Sequence, residues 1–126
     1  MVVDDEPTIA WHATRVLQRA GFEVVHHTSA IQALAHAREL GDRLSILVTD
    51  VRMPERSGQA LALEIAASQP HLKVVFVTGF ADDVDVRALP LQATPSLLQK
   101  PVTSEALLEA VRAQEHRPAP ASHSET

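Results

Sequence analysis

The chain has 126 residues, a formal net charge of −5, no cysteine, and only 3% aromatic residues. That length suits one domain with a two-faced core, which here must be built from Val, Leu, Ile and Ala. The acidic balance argues against a nucleic-acid surface, the lack of cysteine excludes disulfides and thiolate metal sites, and no apolar stretch approaches the ~20 residues of a membrane span.

Met1, Val2 and Val3 read as a buried strand that ends at Asp4 and Asp5. Residues 7–20 follow with helical period, placing Ile9, Ala13, Val16, Leu17 and Ala20 on one face and Trp11 on the other; Pro7 suits the first turn. Residues 22–26 are expected as a short strand. Ser29-x-x-Gln32 is a capping box opening a helix with Ala30, Ala33, Ala37 and Leu40 inward. The apolar run 44–49 closes at Asp50, and the irregular stretch 51–58 follows. Ser57 caps a helix reaching about Ser68 with Leu61, Ala62 and Ile65 inward, and the run 73–77 then ends at Thr78. Residues 81–91 are expected to form a short or irregular helix, because Pro90 interrupts it. A last strand, 96–99, ends at Lys100, and Thr103 caps a helix carrying Leu107, Leu108 and Val111. All four glycines fall at element boundaries.

Strands separated by helices imply right-handed crossovers and an α/β fold, a parallel sheet covered on both faces. The strand order is not readable from sequence, but the flavodoxin-like doubly wound order 2-1-3-4-5 is a common solution. In it the first, third, fourth and fifth strands are contiguous. The groups at their ends, Asp4, Asp5, Asp50, Thr78 and Lys100, then share one rim. The expected domain is 1–116, with 117–126 a disordered tail or linker stub lacking core residues.

Carboxylates crowded together raise one another's pKa unless a cation joins them. Mg²⁺ answers this with oxygen ligands from carboxylates, water and phosphate. An aspartate beside such an ion can attack a phosphoryl group and become an aspartyl phosphate. Phosphoryl transfer asks mainly for positioning and charge neutralisation, which Lys100 and the Thr78 hydroxyl can supply.

The segments Val2-Val3-Asp4-Asp5-Glu6, Val48-Thr49-Asp50-Val51-Arg52-Met53-Pro54, Val77-Thr78-Gly79 and Lys100-Pro101, in this order, resemble the receiver domain of two-component response regulators. The resemblance runs from Met1 to about Glu115. It implies that Asp50 is the phosphoacceptor, charged by a sensor histidine kinase or a histidine phosphotransfer protein in the cytoplasm. It implies that Asp4, Asp5, Asp50 and the backbone carbonyl of Arg52 hold Mg²⁺, with Asp5 the better candidate of the acidic pair for direct ligation. Thr78 becomes the switch hydroxyl, Lys100 a phosphoryl contact, and the Lys100-Pro101 bond is expected to be cis. The run 98–107 is similar to the C-terminal receivers of hybrid kinases.

The sequence also departs from the family pattern. Receivers usually carry Tyr or Phe three residues before the lysine; Leu97 stands there, so a weaker coupling between Thr78 and the fifth strand is expected. Only three residues precede Asp4, fewer than usual, and a chain longer at that end is the expectation. Arg52 and Phe80 are expected to flank the mouth of the site and shield a phosphoryl group from water. Trp11 reads either as a partner's anchor or as a ring folded over its neighbours, and His26-His27 reads as the exposed end of a strand. Two other function classes are open. A Mg²⁺-dependent phosphatase of the haloacid dehalogenase type wants a second Asp two residues after the nucleophile, where Arg52 stands. An interaction module that never accepts phosphate has no need of the complete acidic set.

Overall fold

The computed structural model describes residues 1–116, so the tail expected over 117–126 lies outside the described residues. Five strands, β1 (Val2–Val3), β2 (His26–His27), β3 (Ile46–Asp50), β4 (Lys73–Thr78) and β5 (Ser96–Gln99), are joined with four α-helices, which follow every strand but β4. These are α1 (Pro7–Arg19), α2 (Ala30–Leu40), α3 (Gly58–Ser68) and α4 (Ser104–Glu115). All strand pairs are parallel and the sheet order is β2-β1-β3-β4-β5, the flavodoxin-like arrangement expected from the sequence. No helix among the described residues is long and apolar enough to cross a membrane.

Strand alternation divides the core in two. Val3, Leu47, Val74 and Phe76 face α2 and α3, meeting Ala33, Leu34, Leu61 and Ile65. Val2, Val48, Val75 and Val77 face α1 and α4, meeting Ala10, Leu17, Leu107 and Val111. Each fully buried Leu, Val or Phe contributes roughly 1.5–3 kcal/mol, so the central strands are anchored well before any polar group is considered. The expected caps are present: Ser29 accepts from the Gln32 amide at 3.3 Å, Ser57 from Ala60 at 3.1 Å, and Thr103 from Ala106 at 3.0 Å.

Three expectations need correction. The second strand pairs at His26–His27 rather than over residues 22–26. It is an edge strand with one partner, and Phe22 and Val24 spend their side chains on the α1–α4 core. The α1 core face includes Ala10 and Thr14, whereas Ile9 and Ala13 are only partly buried; the Thr14 hydroxyl is satisfied by the Ala10 carbonyl at 2.7 Å. Finally, residues 81–91 form no α-helix. A single 3₁₀ turn, Ala81–Asp83, is followed by turns in which the Asp85 carboxylate accepts from the Arg87 amide at 3.1 Å. Asp side chains that bond nearby amides compete with helix, and Pro90 removes a donor just beyond them.

One glycine ties fold to site. A Cβ on Gly58 would lie 2.1 Å from the Asp50 carbonyl oxygen, a backbone atom that cannot rotate away. The start of α3 therefore packs directly on the strand end carrying Asp50. We expect Gly58→Ala to lower stability by about 2–3 kcal/mol, as overpacking does. Gly79→Ala, which meets nothing within 4 Å, should be nearly neutral; urea unfolding of the two variants checks the contrast.

Candidate functional site: an acidic crevice at the strand ends

The parallel register builds the site. Val3 pairs with Thr49, so Asp4 and Asp50 lie side by side just beyond, on the face shared by Val2 and Val48. Asp50 pairs with Val77, and the β4–β5 ladder continues past Gln99 through the Lys100 amide, which donates to the Thr78 carbonyl at 2.7 Å. Asp4, Asp5 and Asp50 each place a carboxylate oxygen within 4.8 Å of the other two. Asp4 and Asp50 are buried, and Asp5 is the most open of the three. Lys100 reaches in from the opposite side, its Nζ 3.3 Å from Asp4 Oδ2 and 3.4 Å from Asp50 Oδ1. The Lys100-Pro101 bond is cis.

Burial, and next the Asp4 carboxylate, push the Asp50 carboxyl up to about 6, although Lys100 pulls part of the way back. For Lys100, burial opposes the charge, but Asp4 and Asp50 outweigh it and hold its pKa above the ordinary value. A trio of hard oxygen donors, one of them an acid whose charged form is disfavoured by burial and by the Asp4 carboxylate, is a donor set that fits a small divalent cation.

Thr78 lies at the next strand end, 1% exposed. Its hydroxyl is 3.3 Å from the Phe80 carbonyl and 3.2 Å from Asp83 Oδ2, and it accepts from the Phe80 amide at 3.1 Å. Arg52 grips Asp83 with two bonds, Nε to Oδ2 at 2.7 Å and Nη2 to Oδ1 at 2.8 Å, and its guanidinium lies 4.2 Å from the centre of the Phe80 ring. Arg52 and Phe80 thus form one stacked unit at the rim. Hydrogen bonds from Arg52 hold the Asp83 carboxyl below its ordinary value, so it is ionised at neutral pH. An apolar cavity of about 530 Å³ opens beside the acids between α1 and α4, walled by Ile9, Val16, Val102 and Leu107 with Asp4, Asp50 and Lys100 among its lining.

All five rim residues read from the sequence are therefore drawn to the C-terminal edge of the sheet: three clustered acids, Lys100 in contact with two of them, and Thr78 alongside. Asp83 escaped the sequence reading. Its partner Arg52 is 31 positions away, and only its place five residues after Thr78, in a stretch read as irregular helix, hinted at it. His27 and His36 also pair, Nε2 to Nδ1 at 2.8 Å, a contact the reading of an exposed strand end did not anticipate. Trp11 is 55% exposed, with the Arg15 guanidinium 5.1 Å from its ring.

A doubly wound sheet with its reactive groups beyond the strand carboxyl ends is an α/β domain of the kind that reserves this crevice for ligands. The chain belongs to the response regulator receiver family: the family model for the response regulator receiver domain matches residues 1–112. It is 36% identical over 112 residues to the sensor kinase CckA of Brucella abortus (strain 2308), covering 89% of this chain and 12% of that protein. It is 38% identical over 113 residues to the transcriptional regulatory protein FixJ of Azorhizobium caulinodans, covering 89% of this chain and 52% of that one. The chain thus spans about half or less of these relatives. Among solved structures, a receiver domain protein from Clostridium thermocellum superposes with a TM-score of 0.79 at 31% identity, covering 90% of each chain. The receiver domain of the hybrid histidine kinase CckA superposes with a TM-score of 0.77 at 26% identity, covering 90% of this chain and 94% of that one.

The raised Asp50 pKa has a stability consequence. A folded-state value of about 6 against an ordinary 3.8 means the fold holds the neutral carboxyl at no penalty below about pH 4 and loses stability as pH rises through about 6. In protein freed of divalent ions, Asp50→Asn should match wild type near pH 4 and exceed it by about 1–2 kcal/mol near pH 7.5, a figure reduced for solvent at the open rim. Urea midpoints at the two pH values test this; an equal difference at both would contradict it.

Proposed function

We propose that this chain is the phosphoacceptor of a two-component phosphorelay, receiving a phosphoryl group on Asp50 from a cytoplasmic histidine kinase or histidine phosphotransfer protein. The reading rests above all on one observation, three carboxylates within 4.8 Å of one another with Lys100 bonded to two of them. Family membership supports it, and so does the likeness to the sensor kinase CckA. Residues 1–116 carry this function in the proposal.

Asp4, Asp5, Asp50 and the Arg52 carbonyl would hold Mg²⁺, which when bound neutralises the acids and the incoming phosphoryl oxygens. The side chains do the rest. A carboxylate oxygen of Asp50 attacks phosphorus in line, the P–N bond breaks, and its electron pair stays with the donor's imidazole. Lys100 turns from Asp50 to a phosphoryl oxygen, and the Thr78 hydroxyl donates to another. Hydrolysis reverses the charge: water attacks phosphorus, the bond to Asp50 breaks, and inorganic phosphate leaves with the carboxylate restored. The chain acts on itself here and turns over no separate substrate.

Incubation with Mg²⁺ and a small phosphodonor such as acetyl phosphate should add one phosphoryl group to wild type, read by intact-mass spectrometry. Asp50→Asn should add none, and omission of Mg²⁺ should reduce incorporation at least roughly a hundredfold, as loss of a charge-neutralising group does. An unmodified wild type would refute the proposal in favour of a non-phosphorylated interaction module.

Leu97 bears on the response of the fold to phosphorylation. It is partly buried against the α2–α3 core and has no hydroxyl to present at the surface. We expect amide shift changes at Leu97, on adding Mg²⁺ and beryllofluoride, to be clearly smaller than those at Asp50. Changes of equal size would show that the fifth strand responds as fully as it does with an aromatic residue there.

A further inference from the structure

The Thr78 hydroxyl carries one proton, and two acceptors face it: the Phe80 carbonyl at 3.3 Å and the ionised Asp83 carboxylate at 3.2 Å. A charged acceptor makes the stronger bond. Asp83 is not free to drift away. Arg52 holds both of its oxygens, at 2.7 and 2.8 Å, and Gln59 from α3 donates to its backbone carbonyl at 2.9 Å. Phe80, whose carbonyl also faces the hydroxyl, has its ring centre 4.2 Å from the same guanidinium. The first turn after β4 is thereby tied to the β3–α3 loop by the Arg52 side chain and to α3 by the Gln59 side chain.

We propose that Arg52 and Asp83 form a latch that holds the Thr78 hydroxyl and raises the threshold for phosphoryl capture. The inference rests on the phosphoacceptor reading of Asp50 and goes beyond it by giving Asp83 a positioning role. A phosphoryl oxygen on Asp50 and the Asp83 carboxylate compete for the same proton, because a hydroxyl donates one hydrogen bond at a time. Occupying the site with a phosphoryl group therefore requires Thr78 to leave Asp83. The Arg52–Asp83 pair, with Asp83 only 18% exposed at its side chain, keeps the competitor in place while the site waits. Removing Asp83 removes the competitor and leaves Thr78, Asp50 and Lys100 intact.

The test is a double-mutant cycle of Asp83→Ala and Thr78→Val, reading affinity for beryllofluoride in Mg²⁺ by calorimetry. Asp83→Ala should bind roughly three- to tenfold more tightly than wild type, the range expected for releasing a hydrogen bond to a charged group at a partly open site. In the Thr78→Val background it should change nothing, since no hydroxyl remains to release. Unchanged or weaker binding by Asp83→Ala would overturn the latch. So would equal tightening with and without the hydroxyl, which would assign the effect to the lost negative charge alone. A second measurement needs no ligand: the Thr78 Hα–Hβ coupling in metal-free protein should shift from a single rotamer towards an average in Asp83→Ala, and an unshifted coupling would also overturn the latch. A wild type that binds no beryllofluoride would instead overturn the phosphoacceptor reading, which the ligand-free coupling does not touch.

Discussion

The structure depends on forcing like charges together. Parallel pairing of β1 with β3 leaves Asp4 and Asp50 no way to avoid each other, and both are buried. At an effective dielectric of ~20, two unit charges about 4–5 Å apart repel by ~3–4 kcal/mol. Lys100, 3.3 and 3.4 Å from the pair, attracts each by ~5 kcal/mol on the same scale. The ammonium offsets much of that repulsion, but burial and Asp4 together still hold the Asp50 carboxyl up at about 6, and the third acid, Asp5, stays towards solvent. What remains is a carboxyl at Asp50 whose charge is only partly compensated, which is the chemical condition the proposed phosphoacceptor role would use. The apolar strands supply the rigidity: Leu47, Val74, Val75 and Phe76, all inaccessible to solvent, hold the registers against that repulsion.

The two flanks of the crevice are built differently. Towards α1 and α4 the acids border the cavity walled by Ile9, Val16 and Leu107, elements whose positions are set by core packing. Towards the β4–β5 connection the wall is a 3₁₀ turn and a series of bends. That wall carries the polar links Arg52–Asp83, Gln59–Asp83 and Thr78–Asp83, and behind them Val84, Val86, Leu89 and Leu91 pack on the core. Polar links at a rim break and re-form at a cost of a few kcal/mol or less, whereas packed strands do not. In the proposed phosphoacceptor reading, the polar links of Thr78 and Asp83 are therefore the first contacts that a change at Asp50 meets.

Much of this was legible in the sequence, for identifiable reasons. Strands buried on both faces must be nearly continuous Val, Leu and Ile, so the polar residues ending each run, Asp50, Thr78 and Lys100, announced themselves. Ser29, Ser57 and Thr103 marked helix starts because their hydroxyls satisfy amides that the helix cannot. The edge strand was harder: His26–His27 has one neighbour, and its residues carry no continuous apolar signal to set the register. The connection after β4 was harder still. Its acids serve equally as helix formers, turn formers or ion-pair partners: Asp85 bonds the nearby Arg87 amide and Asp83 pairs with Arg52, a residue remote in the chain. Side-chain pairings across loops leave no periodic trace, which is why Asp83 and the His27–His36 contact emerged only in three dimensions.

Trp11 is the chain's sole tryptophan, and tyrosine is absent. Its indole stands on the outer face of α1, six positions after Asp5, with the Arg15 guanidinium near its ring, while the core's one large buried aromatic is Phe76. The intrinsic emission of this protein is accordingly an optical gauge of one helix surface near the crevice. Because that ring is largely wetted in the native fold as well, its colour will say little about whether the hydrophobic interior is intact.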